Sequence, residues 1–390
     1  KPIELQLGEV LQLNARMGSP DQPFAGVVAL GGAEPEALPA RGLVVTGQVP
    51  ALDLTGWLAL GARDELPAES DTSNEWPHVI LRAGELGAWG RTFRDVDLQV
   101  VPDAASVDVR LRGPDIQGTI TWPKQAADRV VHGRFERLYV PSGGSTELSG
   151  SFPPSVMPAL DVEAQDLRVG VSRLGRTKLI ARPQGSAYRI STFESRSEAF
   201  DLDASGDWQR INGEDRSDFD IQLRADDLGV MLESFGFAGL ITGGRTEATI
   251  DGRWAGSPAG FALEKIDGRL TINVQSGRIL DVDPGVGRIF GLLNLREIPR
   301  RLLLDFRDFF SQGMRFNSIE GTFALNVGEA YTDDMRLKSP SADILITGRT
   351  GLIMRDYDQT LEVTPRMGGT LPVVGAIAGG PAGAAAGLVV

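Results

Sequence analysis

The chain has no cysteine at all and only two histidines, His78 and His132. The first absence rules out disulfide scaffolds, thiolate zinc sites and cysteine nucleophiles. The second confines any imidazole general base to two positions, neither set in a recognisable catalytic context. Aromatic residues are sparse at 7%, which is thin for the stacking platforms of a glycan-active cleft. Positive charge is also in deficit. Against 52 acidic residues stand 39 basic ones, for a net charge of −13, so a polyanionic partner such as nucleic acid is not expected. Neither a G-x-S-x-G elbow nor a G-x-x-x-x-G-K-[ST] phosphate loop occurs anywhere.

Glycine is abundant, with 48 of 390 residues, and arginine greatly outnumbers lysine. The Arg excess suits bidentate phosphate recognition, and it is equally what GC-rich codon usage produces. The main signal is period-two alternation. Val96, Leu98 and Val100 alternate with Asp95, Asp97 and Gln99, and Val107, Val109 and Leu111 alternate with Asp108, Arg110 and Arg112. The same pattern recurs in Leu167-x-Val169, Phe219-x-Ile221-x-Leu223, Leu270-x-Ile272-x-Val274 and Phe323-x-Leu325-x-Val327. Successive strand side chains point to opposite faces, so each run is apolar on one side and polar on the other. Runs apolar on both faces, as buried parallel strands require, are scarce. The expectation is a mainly β chain built as an antiparallel meander, with these aliphatic residues on one face.

Strands are punctuated by clusters such as Pro141-Ser142-Gly143-Gly144 and Gly256-Ser257-Pro258. A loose repeat closes strands on glycine in Gly118-x-x-x-Trp122, Gly206-Asp207-Trp208, Gly252-Arg253-Trp254 and Gly348-Arg349, at a spacing too irregular for a short solenoid. Two stretches read as helix. Asp226 to Phe235 carries Leu228, Met231, Leu232 and Phe235 on one side, with Asp226 or Asp227 as N-cap and Gly236 beyond the end. Residues 286–312 break before Pro299 and then place Leu302, Leu303, Phe306, Phe309 and Phe310 on one face, either plugging a β core or facing a membrane. From Met367 to Val390 no residue is charged, and Gly375, Gly379, Gly383 and Gly387 fall four apart. That spacing permits close helix packing or membrane contact, and a flexible tail is the plain alternative. Both ends of the sequence fall inside apolar, strand-like runs, as in a fragment of a longer chain.

Three superficial sites fail on spacing. Gly285-Val286-Gly287-Arg288-Ile289-Phe290-Gly291 has one residue too many for a dinucleotide loop and no βαβ unit around it. A calcium loop starting at Asp281 meets Leu292 where a bidentate glutamate belongs. The acidic clusters Asp226-Asp227, Asp333-Asp334 and Asp356-Tyr357-Asp358 read as solvated turns, since neighbouring acids on a strand point apart. No cofactor, metal or catalytic residue is expected.

The C-terminal third carries a specific resemblance. Pro299-Arg300-Arg301-Leu302, Leu304-Asp305-Phe306, Phe309 to Gly313, Phe316-Asn317-Ser318-Ile319-Glu320-Gly321 and Glu329-Ala330-Tyr331-Thr332-Asp333 resemble the AsmA-like family, and within it the YhdP branch. So do Ser339-Pro340-Ser341-Ala342-Asp343, Asp356-Tyr357-Asp358-Gln359, Val363-Thr364-Pro365, Leu371-Pro372-Val373 and Gly379-Gly380-Pro381. The match is strongest over residues 220–390. The resemblance implies an elongated, curled β-groove of the bridge-like lipid-transfer type, anchored in the inner membrane of a Gram-negative bacterium. Its body would cross the periplasm as a monomer, carry phospholipid toward the outer membrane, and meet a periplasmic or outer-membrane protein partner. On that view residues 1–220 are repeated groove units, 221–364 a C-terminal β module with both helices, and 365–390 a tail touching a membrane. The aliphatic residues Val96 to Val327 named above would line the groove. Three classes stay open: a lipid conduit, a structural or adhesive β-sandwich or solenoid without cargo, and a glycan-active enzyme.

Overall fold

Wherever alternation was the signal, strands formed. The computed structural model describes residues 2–54, 76–124, 130–141, 154, 157–236, 241–280, 314–366, 374–379 and 385–389, apart from Glu9, Pro20, Asp21, Glu36, Trp89 and Arg355. The protein is mainly β and divides into two compact units, Lys1–Tyr188 and Arg189–Val390. The helix expected over 286–312 lies outside the described residues.

The first unit contains β1 (Pro2–Leu7), β2 (Leu11–Arg16), β3 (Ala25–Leu30), β4 (Gly42–Asp53), β5 (His78–Ala88), β6 (Arg91–Pro102), β7 (Ser106–Arg112), β8 (Ile116–Pro123), β9 (Val130–Val140), β10 (Ala159–Val169) and β11 (Ser172–Gln184). Each pairs with the next. Most pairs are antiparallel, as expected, but β3–β4, β4–β5 and β9–β10 are parallel. A parallel neighbour cannot be reached through a two-residue turn, because the chain must travel back to the starting end. Accordingly these joints coincide with the long connections 31–41, 54–77 and 141–158, whereas β10 and β11 are joined through Gly170 and Val171 alone. β12 (Ala187–Arg196) crosses the boundary between the units.

The second unit continues with β13 (Asp201–Ile211), β14 (Glu214–Ala225), α1 (Leu228–Ser234), β15 (Ile241–Ala255), β16 (Asp267–Ile279), β17 (Met314–Asn326), β18 (Glu329–Lys338), β19 (Ala342–Gly351), β20 (Asp356–Pro365), β21 (Val374–Gly379) and β22 (Ala385–Val389). From β13 to β22 every neighbouring pair is antiparallel. Over 374–379 and 385–389 the tail therefore does not use its glycine spacing for helix packing but adds two strands beyond β20. α1 starts one residue after Asp227, whose Oδ1 accepts the Gly229 and Val230 N–H groups at 2.8 and 3.2 Å. It stops at Gly236, where φ of 89° suits glycine.

The repeated strand–glycine pattern has a packing cause. A Cβ placed on Gly206 would run into the ring of Phe219, its cross-strand partner, and one on Gly118 would lie 2.5 Å from Phe135. Each glycine leaves its place on the sheet to an aromatic ring lying flat across it. In the first unit a bulge marks where the ladder bends, with the β10 register shifting between Ala164 and Leu167. This bulge is pinned by a small polar cluster. Tyr139 Oη and Arg168 Nη2 both donate to Asp166 Oδ2, at 2.6 and 2.9 Å, and the Arg168 guanidinium stacks 4.1 Å from the Tyr139 ring centre. Burial raises the Asp166 pKa, but these two donors outweigh it and hold the carboxyl below its ordinary range.

A one-sided sheet with a half-open aliphatic floor

Directly opposite residues on paired strands share a face, so the register shows what each face carries. In the second unit one face displays a row of Leu202, Leu223, Ala248 and Ile272 across β13 to β16. A second row two residues along displays Ala204, Ile221, Ile250 and Leu270. All eight are half-buried, and neither row contains a titratable group. The opposite face carries Asp201, Arg224, Glu247, Asn273, Glu320 and Arg336 in one row. Ion pairs such as Arg224–Asp203 (3.7 Å) and Arg253–Asp267 (3.2 Å) run along that face. They are exposed, each worth roughly 0.2–1 kcal/mol, and serve mainly to keep that side wet.

The two aliphatic rows lie between two raised margins. On one side the connection 256–266 folds over the apolar face. Trp254 Nε1 donates to Ser257 O at 3.1 Å and Ser217 Oγ to Gly256 O at 2.9 Å, which tie the connection down. Phe261 meets Trp254 edge-on at 5.4 Å, and Phe219 lies 5.3 Å from the same indole. Ile266 covers Gly252 so closely that a Cβ there would come within 2.6 Å of Ile266 Cγ2. On the other side α1 sits over the start of β15. Leu228 Cβ lies 3.3 Å from where a Gly244 side chain would begin, Met231 is buried, and Phe235 stacks on Phe200 at 4.9 Å. Between these margins the floor is reachable from solvent. Beyond it the same face closes: Phe323 on β17, Leu337 on β18 and Ile346 on β19 are fully buried.

Of the residues predicted to line a groove, Ile221, Leu223, Leu270 and Ile272 fall in this floor. Phe219, Val274, Phe323 and Leu325 are on the same face but buried at its borders. Val327 leaves the strand entirely; with φ of 21° in a turn beside Gly328, it is 62% exposed. In the first unit Val96, Leu98, Leu111 and Leu167 meet in one packed core with Leu86, Phe93 and Phe135, against which Val100 and Val109 also pack. Val107 is buried opposite Trp122. Val169 is 43% exposed at the end of β10. At the edge of the first unit the exposed Ile3, Leu5 and Leu7 of β1 face Ala15, Leu13 and Leu11 of β2, and Ile80 on β5 is exposed as well. Leu202, Ala204, Ala248 and Ile250 were missed; their signal was the same alternation, muted by alanine.

The acidic clusters have structural partners. Asp227 caps α1, Asp334 Oδ1 accepts the Thr322 N–H at 2.7 Å, and Asp356 holds Arg349 at 2.9 Å, which keeps the Asp356 carboxyl below its usual range. Among the described residues no group of three or more potential ligands is placed to hold a metal ion, and no helix is long and apolar enough to cross a membrane.

No solved structure matches the chain. The intermembrane phospholipid transporter YhdP of Escherichia coli (strain K12) is 22% identical over 342 residues, covering 85% of this chain but 27% of that protein. The chain therefore corresponds to about a quarter of its relative's length, as 27% coverage implies. The model of the YhdP protein family matches from residue 1 to residue 390, well upstream of the C-terminal motifs that carry the resemblance, and the chain belongs to the YhdP family.

Proposed function

We propose that this chain is a non-enzymatic, lipid-carrying segment of an intermembrane phospholipid transporter, acting in the periplasm between inner and outer membranes. The observation that carries the reading is the half-open aliphatic floor of the second unit, apolar and uncharged on one face of a sheet whose other face is charged. A face of this kind must cover itself with a second layer or with a ligand. Each acyl methylene transferred from water gains about 0.8 kcal/mol when fully buried. A floor contacts a chain from one side only, so it holds lipid in many weak, similar increments, which suits passage better than storage. The relative's printed role as a phospholipid transporter supports the cargo. The uncharged residues 367–390 are the part of the chain best suited to touch a membrane, and the protein works as a monomer with a protein partner at one end.

A photo-crosslinking amino acid at Ile221 or Ile272 tests this. Phospholipid adducts are expected at both positions, and none at Thr249 on the charged face. If neither floor position captures lipid and none co-purifies with the chain, the sheet is a structural element without cargo.

A further inference from the structure

Among the described residues of the second unit, the large apolar side chains left exposed are not scattered. Ile211, Phe261, Leu263, Val327, Ile353 and Met354, the last 80% exposed, all stand in or beside turns at one end of the strands, with Tyr331 just behind them on β18. Val230 on α1 is alone at the opposite end. The register sets these turns in line, because Ile211 pairs with Glu214, Arg216 with Ala255, Arg253 with Asp267, Asp267 with Asn326, Asn326 with Glu329, Glu329 with Gly351 and Gly351 with Asp356. From β13 to β20 the line is roughly 34 Å long, at ~4.8 Å between strands. Neighbouring turns also touch. The Val327 N–H donates to Ile266 O at 3.1 Å and the Leu352 N–H to Gly328 O at 2.7 Å, while Ile353 Cδ1 lies 2.8 Å from where a Gly328 Cβ would begin. Single exposed apolar residues need no partner, but a contiguous row of them marks an interaction site. We infer that this row is a docking surface for a lipid bilayer, which the second unit meets edge-on with its turns dipped into the interface.

Three features favour a bilayer over a protein partner. A stable protein interface takes about 20–30 residues a side, far more than a line of single turn tips supplies, whereas in a bilayer each inserted side chain gains by itself. The charges along the line are balanced: Arg210 pairs with Asp215 at 2.7 Å, Arg253 with Asp267 at 3.2 Å, and Arg349 with both Glu329 and Asp356 at 3.2 and 2.9 Å, while Glu264 adjoins Lys265. With no patch of one sign, the surface matches zwitterionic headgroups and not anionic ones. Turns entering an apolar phase must also pair their backbone internally. Here the Phe261 and Ile266 N–H groups donate to Pro258 O and Leu263 O, besides the two bonds between turns. Tyr331, its Oη donating to Glu329 Oε2 at 2.5 Å, sits at the set-back level that tyrosines take at a membrane interface. β21 finishes toward the same edge, Gly379 opposite Gln359. Edge-on docking sets the floor's rows parallel to the bilayer, with the Trp254 margin as the nearer lip. Because the chain has no cysteine, Met354→Cys and Val327→Cys can each carry one environment-sensitive nitrobenzoxadiazole label. Both should at least double in emission with dioleoylphosphatidylcholine vesicles, at low and high salt alike, and labelled Val230→Cys should not respond. In vesicle flotation, the combined Val327→Ser, Ile353→Ser and Met354→Ser variant should bind at least tenfold more weakly than wild type, with unchanged far-ultraviolet circular dichroism. Silence of both labels, undiminished flotation of the serine variant, or binding that needs anionic lipid and vanishes in salt overturns the proposal. So does a label response that appears without vesicles and grows with protein concentration, which would make the row an interface between copies. None of these outcomes touches lipid capture at Ile221 and Ile272, and failure of that capture leaves the docking surface standing.

Discussion

At the scale of single residues, burial decided what alternation could not. Val96 is wholly buried and Ile221 half-open, although both sit in runs that read identically, apolar against acid. Periodicity reports which face a side chain takes; what lies over that face depends on other parts of the chain. Val327 shows the second kind of loss. It extends a perfect alternation from Phe323 and Leu325, but Gly328 beside it supplies a φ of 91° and the chain turns one residue early. Tyr188 is a residue whose role was invisible in sequence. Its phenol is buried and donates to Pro158 O at 2.7 Å, and burial pushes its pKa far above the ordinary tyrosine value of 10.0. The neutral form is thus favoured by folding, so its contribution is complete below pH 10 and is lost as pH rises from there toward the folded pKa. Denaturant unfolding between pH 8.5 and pH 11.5 should show the wild type losing stability more steeply than Tyr188→Phe; parallel curves would mean the phenol titrates freely.

At the scale of elements, strands were legible and their pairing direction was not. β4 and β5 carry short continuous apolar runs, Leu43-Val44-Val45 and Val79-Ile80-Leu81, where they pair in parallel, a local mark too brief to fix the direction by itself. The long connection 54–77 is the sequence feature that goes with it, since a crossover needs chain length. α1, by contrast, was readable to within a residue or two, because its cap, its apolar stripe and its terminal glycine agree. That helix also forms a margin of the floor, which gives its cap a consequence beyond local stability. Asp227→Ala should cost roughly 1 kcal/mol, the usual value for losing a side-chain N-cap. Amide exchange should then quicken from Leu228 to Ser234, while Trp254 and the opposite margin keep their protection. Uniform exchange across both margins would show that α1 is not an independent wall.

At the scale of the whole molecule, one-sidedness is the property on which function turns. The YhdP family match extends over all 390 residues, and both units pair a buried core with half-buried aliphatics: Val100, Val109, Ile120 and Val162 pack against the core of the first, and eight residues form two rows in the second. The motifs that carry the resemblance fall largely in the second unit, which also holds the accessible rows. A charge on the open face should therefore matter more than one on the back. Ile272→Asp would put a carboxylate under any acyl chain crossing the floor, at a desolvation cost of several kcal/mol. Its neighbour Thr271→Asp points to the charged face and meets water. In vesicle-to-vesicle phospholipid transfer, the first variant should lose at least tenfold in rate and the second should match wild type. Equal losses would place the cargo elsewhere.

The rows of that floor cross the strands at right angles, and this separates two dimensions that most binding sites tie together. Strand length sets the gap between the Trp254 margin and the α1 margin. The number of strands sets how far the rows extend, at about 4.8 Å for each strand added. A hairpin inserted or deleted between β13 and β16 would thus lengthen or shorten the track without altering its width. Lineages can stretch such a track to match the distance it must cover while the two margins stay as they are.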